Sequence, residues 1–538
     1  MLGRFPVALR LSRGLLRGSS ARRGLSAMAG GGEEGRLADF FEYMERLRNY
    51  ERSGVPRGAG TDSDDGFDLG RMRRLLRRLG DPHTHFPAVH IAGTKGKGST
   101  AAFLSNIMRE QGYNVGCYSS PHLLTIRERI SVGNDGGPVP VGLLSDLFDQ
   151  AKEAIDESIE SENGALTHFE AGLGGARDAT NVIQSTELAA SVITTVGKEH
   201  LAALGGSLQS IAIAKSGIIK QGRPVVIGGP FSADIEQIIR DRAFLTQSPV
   251  ISACDPGIKS ITKCIGWDNG KPYQRCDISI NISDDVPLSI ELCDVNLQLL
   301  GDHQCQNAVT ASCTALCLRN LGWDISDASI QAGLEETQLP GRSQFLTQEE
   351  ALVLGLDGAS TVLIDGAHTE ASAKALSNVI ETVRLEGPLA LVVGMANDKE
   401  HLAFAEQLLV GSRPDVVLLT EASIAGGASR AMPAPSLKEI WMSAARDLGI
   451  NCVDIGTISG TETPEHIANL ATSSSSFAGK PTVMIGCQDK TPFSCDLIRA
   501  ASQLILESRG RGDASPGLVC VTGSLHVVAT VLQHLERH

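Results

Sequence analysis

The sequence predicts an α/β protein of two units, each a largely parallel sheet wrapped by helices, and three observations carry that prediction. At 538 residues the chain is longer than one hydrophobic core usually serves, since single domains run to about 100–200 residues. From Phe86 onward, short β-rich runs such as "FPAVHIAG", "LAASVITTVG" and "GRPVVIGG" alternate with amphipathic stretches of helical period, the pattern of parallel strands joined by crossover helices. Past a Pro-Gly break in "QLPGRSQFL" a second series begins: "STVLIDGAH", "PLALVVGMA", "DVVLLTEA", "PTVMIGCQD" and "GLVCVTGSLH". The expected units are therefore 33–335 and a smaller one over 336–538.

Composition narrows the function classes. An apolar content of 42 % with 20 % charged residues is that of a globular chain, and a net charge of −14 argues against a general nucleic-acid or membrane-surface binder. No run reaches the ~18–20 apolar residues that span a bilayer, so no membrane partner is expected. Twelve cysteines occur without a C-x-x-C pair, which speaks against zinc and disulfide frameworks and for reduced core thiols. Residues 1–32 stand apart, with six arginines, four serines and no acid before Glu33. That is the composition of a mitochondrial transit peptide, and the matrix is the expected location, with the cytosol as the alternative.

Residues 34–80 read as helical and charged, broken by the loop "SGVPRGAGTDSDDG". Then comes "AVHIAGTKGKGSTAAFL", a buried strand running into a helix through a glycine-rich turn. It departs from the usual G-x-x-x-x-G-K-[ST] phosphate loop twice: Ile91 stands where the first glycine is expected, and Gly98 separates Lys97 from Ser99. A strand-to-helix turn of this kind still aims backbone N–H groups and a helix dipole at an anion. Lys97 would neutralise phosphate charge, and Ser99 or Thr100 would offer a hydroxyl near a metal.

Four further clusters could complete a phosphoryl-transfer site, which needs oxygen ligands for Mg²⁺ and a cationic clamp. "CYSSPHLLTIRERI" places Ser119, Ser120 and His122 about a proline turn. "FEAGLGGARDATN" places Glu170 ahead of a glycine-rich bend, with Asp178 and Asn181 beyond it. "TTVGKEHLAALG" puts Glu199 and His200 at a strand end, and "IAKSGIIK" puts Lys215 on the next helix. Singly, each of these also has a purely structural reading.

The ordered strings "HIAGTKGKGST", "YSSPH", "RERI", "EAGLGGARDATN", "HLAALG", "AKSGII", "GDHQCQNA", "LPGR", "DGAH" and "VTGSLH" closely resemble the dihydrofolate synthase/folylpolyglutamate synthase family, relatives of the Mur ligases, over about 36–538. The resemblance implies a P-loop Mur-ligase-type central domain followed by a smaller Rossmann-like C-terminal domain. It implies ATP-dependent ligation of L-glutamate to a pteroyl carboxylate through an acyl phosphate, with ATP and two Mg²⁺ ions and with a role for K⁺ left open. Gly96, Lys97, Gly98 and Ser99 would wrap the ATP phosphates. Ser120, Glu170, His200 and a carbamate on Lys215 would hold magnesium, Ala214 standing where the family more often has glutamate. Asn307 would contact the adenine side, Arg342 a phosphate, and Asp365 the nucleotide, with His368 nearby. Thr167, His168 and Phe169, and Asp178, Ala179, Thr180 and Asn181, would contact the pterin, as more loosely would Phe67 to Gly70. Lys97, Lys215 and His200 are the expected catalytic groups. The expected partners are small molecules (dihydropteroate or a folate, glutamate and ATP), not nucleic acid, and the expected state is a monomer.

The leading expectation within the family is dihydrofolate synthase, most like the plant mitochondrial enzymes; folylpolyglutamate synthase is the alternative. One departure stands out. In the family "LTHFE" and "EAGLGG" are separate motifs, whereas here "GALTHFEAGLGG" runs both through the single Glu170. About twenty residues are absent, the length of a short helix, a turn and a strand. Loss of an interior strand would leave ladder groups unpaired, so a catalytically inactive form is the alternative of a different class.

Overall fold

The computed structural model describes residues 35, 37–46, 69–161, 175–199, 201–283, 286–356, 360–384, 387–422, 430–458, 482–507 and 516–537. The charged leader yields two helices, α1 (Ala38–Arg46) and α2 (Leu69–Arg78). Strand β1 (Ala88–Ala92) then delivers the chain to helix α3 (Lys97–Glu110). Gly96 caps α3 with φ at 82°, a left-handed conformation that glycine enters without a Cβ penalty. The short strands β2 (Cys117–Tyr118), β3 (Ile130–Val132) and β4 (Gly137–Pro138) form a small antiparallel sheet of their own, and α4 (Val141–Ser161) follows.

The main sheet of this half continues with β5 (Leu188–Ile193), α5 (Leu208–Ser216), β6 (Val225–Ile227), α6 (Ala233–Leu245) and β7 (Val250–Ser252). Its order is β1-β5-β6-β7, all parallel. Every residue of β5 and β6 is buried, as expected of strands with helices on both faces. Among the described strands, β1 ends this sheet and β2 pairs with β3 instead. The fused segment at Glu170 lies outside the described residues.

Next come three strands absent from the sequence expectation: β8 (Ile258–Asp268), β9 (Lys271–Ile282) and β10 (Leu288–Leu297), an antiparallel sheet ordered β10-β9-β8. Their apolar residues alternate with polar ones, as in "KPYQRCDISINI", so that one face of β9 is buried at every second residue. No continuous apolar run marks them. Helix α7 (Asp302–Asn320), buried at nearly every position from Gln304 to Leu318, packs against α3, β5 and β6 on one side and β8 to β10 on the other. A helix buried all round belongs between two layers. Helix α8 (Asp327–Glu335) closes this half against α3.

The second half is built on a seven-stranded sheet. Strand β11 (Gln344–Phe345) is antiparallel to β12 (Ser360–Ile364), and helix α9 (Gln348–Val353) lies between them in sequence. Then α10 (Glu370–Val383), β13 (Leu389–Gly394), α11 (His401–Gly411), β14 (Val416–Glu421), α12 (Ala434–Asp447), β15 (Asn451–Ile458), β16 (Thr482–Pro492), α13 (Asp496–Glu507), β17 (Gly517–Thr522) and α14 (Leu525–Arg537) complete it. The order is β11-β12-β17-β13-β14-β16-β15. One face buries Leu504, Val527 and Val531 of α13 and α14; the other buries Leu376, Phe404 and Trp441 of α10, α11 and α12. Three layers result, as the α/β expectation requires. All twelve cysteines are free, but Cys254, Cys264 and Cys293 are exposed, which corrects the reading of every thiol as core.

Close helix packing makes a simple test. A Cβ on Gly333 of α8 would run into the backbone of Asn106 and Ile107 in α3, whereas one on Gly142 of α4 would meet nothing. Gly333→Ala should destabilise the protein by about 1–3 kcal/mol, and Gly142→Ala should stay within about 0.5 kcal/mol of wild type, as read from denaturant unfolding. Equal midpoints for the two variants would contradict this packing.

Candidate active site

The site grows from the end of β1. Beyond Ala92 the chain must turn before α3, and its turn is tied to the end of β5 rather than to itself. Thr94 donates its N–H to the Thr195 carbonyl (2.8 Å), and the Lys95 N–H donates to Thr195 Oγ1 (2.8 Å). The Thr194 and Thr195 hydroxyls both donate to the Lys95 carbonyl, at 2.6 and 3.1 Å. Gly197 N–H in turn donates to Thr94 Oγ1 (2.8 Å). At Gly93 any Cβ would collide with Thr194 Oγ1, and at Gly96 with the Asn307 carboxamide; glycine is what lets the two chains approach.

Lys97 opens α3 and curls back over its loop, donating from Nζ to the carbonyls of Gly93 (2.8 Å) and Thr94 (3.3 Å). Burial lowers its pKa, with Glu199 opposing the shift and Lys95 reinforcing it. Lys95 itself makes an ion pair with Glu199. One layer deeper, Lys215 on α5 is only 5 % exposed. Burial first, and the neighbouring Lys97 second, bring its pKa down to about 7 against the pull of Glu199 and Asp178. Three lysines and two carboxylates thus share one partly dry site at the head of the β1–β5 pair.

Asp178 caps the 3₁₀ turn Ala179–Val182 by accepting the Thr180 N–H at 2.9 Å. Asn181, buried, donates to the carbonyls of Ala176 (2.8 Å) and Gly217 (3.3 Å), fastening the Gly175–Asn181 bend to the C-terminal end of α5. From the second half, Arg342 is close enough to Lys97 to lower its pKa further. Asp365 accepts from Ser343 N–H (2.7 Å) and Ala367 N–H (2.8 Å), so its carboxylate shapes the turn that carries Arg342 and His368. His368 Nδ1 lies 2.8 Å from the Gly366 carbonyl. Its pKa falls to about 4 through burial first and Lys95 second, so the ring is neutral near pH 7.

The structure therefore brings together Gly96, Lys97, Lys215, Asp178, Asn307, Arg342 and the Asp365–His368 turn. Gly98 is exposed at the open side of the loop, and Ser99 is buried beneath it. Ala179 and Thr180 are half-buried in the Asp178 bend. Ser120 is exposed, ahead of a cis bond to Pro121. Thr167, His168, Phe169, Glu170 and His200 lie outside the described residues, as do Phe67 and Asp68. Sequence reasoning passed over Lys95, Thr194 and Thr195, whose part lies in long-range hydrogen bonds that no local pattern announces. The loop and the half-buried Lys97 fit a polyphosphate. For Mg²⁺, no group of three His, Cys, Asp or Glu side chains gathers among the described residues, while a buried amine with its pKa near 7 fits the carbamate expected of Lys215.

Comparison with known proteins decides the family. The Mur ligase middle domain family matches residues 91–315, from β1 into α7. The dihydrofolate synthase/folylpolyglutamate synthase of Bacillus subtilis is 31% identical over 366 residues, covering 63% of this chain and 78% of its own. This chain belongs to that family. The dihydrofolate synthetase of Saccharomyces cerevisiae is 28% identical over 373 residues, covering 65% of this chain and 80% of its own. A Mycobacterium tuberculosis folylpolyglutamate synthase complexed with ADP shares the fold, with a TM-score of 0.68 at 21% identity over 94% of this chain and 99% of that one. Membership makes the chain a ligase with a Mur-ligase-type middle domain.

Lys215 gives the site a pH signature. The folded amine holds its proton only below about 7, the unfolded one up to the ordinary lysine value of about 10.5. Across that window the unfolded state binds more protons, so stability rises with pH; below it the contribution is constant. Between pH 7 and 9 the wild-type protein should gain roughly 1 kcal/mol per pH unit over Lys215→Met, measured by denaturant unfolding. Parallel pH profiles for the two proteins would mean a solvated, ordinary lysine.

Proposed function

We propose that the chain ligates L-glutamate to a pteroyl carboxylate using ATP, with dihydropteroate as acceptor and dihydrofolate as product. The observation that carries this reading is the cationic pocket at the head of β1 and β5, where Lys97 and Lys215 lie beside the Asp178 bend and face Arg342. A polyanion and a carboxylate substrate can meet there. The loop amides would receive the triphosphate, and Lys97 would release its two backbone carbonyls to follow the charge on the transferring phosphoryl group.

A carboxylate is a poor electrophile. Transfer of the γ-phosphoryl group to the acceptor carboxylate, with ADP leaving, would give an acyl phosphate; the glutamate amine then attacks its carbonyl carbon and phosphate departs. Arg342 and the Asp365–His368 turn, carried by the second sheet, would cover the pocket and keep water from that intermediate. Mg²⁺, when bound, would offset phosphate charge, and Ser120, Glu170, His200 and carbamylated Lys215 are the residues proposed to hold it. Import into mitochondria is supported by the arginine-rich residues 1–32.

Folylpolyglutamate synthase is the second reading, and one feature favours it. Helix α2, "LGRMRRLLRR", exposes Arg73, Arg74, Arg77 and Arg78 and packs beside the 179–182 turn, where a chain of γ-linked carboxylates would find counter-charge.

ADP release with glutamate and either dihydropteroate or tetrahydrofolate as acceptor separates the readings: turnover is expected with dihydropteroate, and turnover with tetrahydrofolate alone would favour the second. Lys97→Ala should lower ATP-dependent turnover at least about 100-fold while the protein stays folded, as read by circular dichroism. Wild-type turnover in that variant would remove Lys97 from the site.

A further inference from the structure

The geometry points to His90 as a positioning residue that holds the Thr180 hydroxyl, and through it the Asp178 carboxylate, in place for the acceptor; the proposal rests on the reading of Asp178 as an acceptor contact. His90 is the middle residue of β1, 7 % exposed and paired in register with Ser191 of β5. Its Nε2 lies 3.0 Å from Thr180 Oγ1, and Thr180 Oγ1 lies 2.5 Å from Asp178 Oδ1.

A hydroxyl has one proton to give, and a carboxylate oxygen only accepts. The short distance assigns the Thr180 proton to Asp178, so the bond to His90 is made by a proton on Nε2. The imidazole is therefore the Nε2–H tautomer. Its Nδ1 is buried and has no hydrogen-bond partner among the described residues, which leaves Nε2–H as the polar contact that this ring supplies to them. Burial is the main cause holding the ring neutral, with a pKa of about 4; the nearby Asp178 carboxylate opposes it and Lys220 adds to it. An apolar side chain could fill the same space on β1. Only a donor at the Nε2 position fixes the Thr180 rotor toward Asp178.

The consequence reaches the carboxylate. Asp178 Oδ1 receives both the Thr180 N–H (2.9 Å) and the Thr180 hydroxyl. No donor among the described residues meets Oδ2, and Asp178 is only half-buried. One oxygen is thus pinned while the other is offered to a ligand N–H. Because β1 also carries the phosphate loop three residues after His90, one rigid strand would set the distance between the acceptor's ring and the nucleotide. Losing the His90–Thr180 bond would leave a part-buried hydroxyl without its donor and free to turn from Asp178, enough to change affinity by about tenfold.

The test uses the full chain, with dihydropteroate and ATP as probes in equilibrium binding. His90→Leu should weaken dihydropteroate binding about tenfold and leave ATP binding within about twofold, and His90→Gln, whose amide nitrogen falls near the Nε2 position, should restore it. Thr180→Val should reproduce the His90→Leu loss, and the double variant should lose no more than either single one. Nitrogen NMR of the histidine-labelled protein should show His90 as the neutral Nε2–H tautomer; an Nδ1–H tautomer overturns the proposal. So does equal binding by His90→Leu and wild type, or a loss that His90→Gln fails to rescue. If His90→Leu does not fold, the Thr180→Val and His90→Gln comparisons and the tautomer decide alone. Asp178→Asn separates the premise: unchanged dihydropteroate binding there overturns the acceptor reading and the His90 role together, whereas a loss there with no loss in His90→Leu overturns the His90 role only.

Discussion

The turn between Ala92 and Lys97 is held by the threonines at the end of β5, and the rest of the site depends on that tether. A glycine-rich turn left to itself would take its shape from local hydrogen bonds alone. Here Thr194 and Thr195 occupy the Lys95 carbonyl, while the N–H groups of Thr94 and Lys95 bond to Thr195. The loop's shape is thereby set by strand β5, which is buried at every residue. Rigidity of the core passes directly to the turn, so the loop would need little reorganisation when it meets charge.

That arrangement also accounts for a basic pocket in an acidic protein. Net charge is −14, yet Lys95, Lys97, Lys215 and Arg342 converge where Glu199 and Asp178 supply the nearby negative charge. One buried and one half-buried amine with depressed proton affinity cost stability. A polyanion bound beside them would offset that cost.

Helix α7 links this site to the antiparallel β8–β10 layer. Its buried length lies between the parallel sheet and the antiparallel β8–β10 layer, and its first turns bring Asn307 against Gly96. None of the site's described side chains lies on the antiparallel layer. It supplies the second apolar wall without which α7 would expose a face, and so it fixes where Asn307 stands relative to the loop.

The α/β class and the family were legible in the sequence, because both reside in short-range pattern. Strands such as "LALVVG" and "GLVCVT", buried on both faces, must be continuously apolar, and the glycine-rich turn after "AVHIA" must be glycine where φ is positive and neighbours press close. The β8–β10 sheet escaped notice because a strand wet on one face has only alternation to mark it, and its polar residues break every apolar run. Tertiary structure alone decided which side chains meet. His90 and Thr180 are 90 positions apart, and Lys95 and Thr194 are 99 apart; neither pair has a periodicity or spacing that could announce it. Local chemistry determines what each segment becomes, whereas partnership across such distances follows from the register of β1 against β5, which exists only once the core has closed.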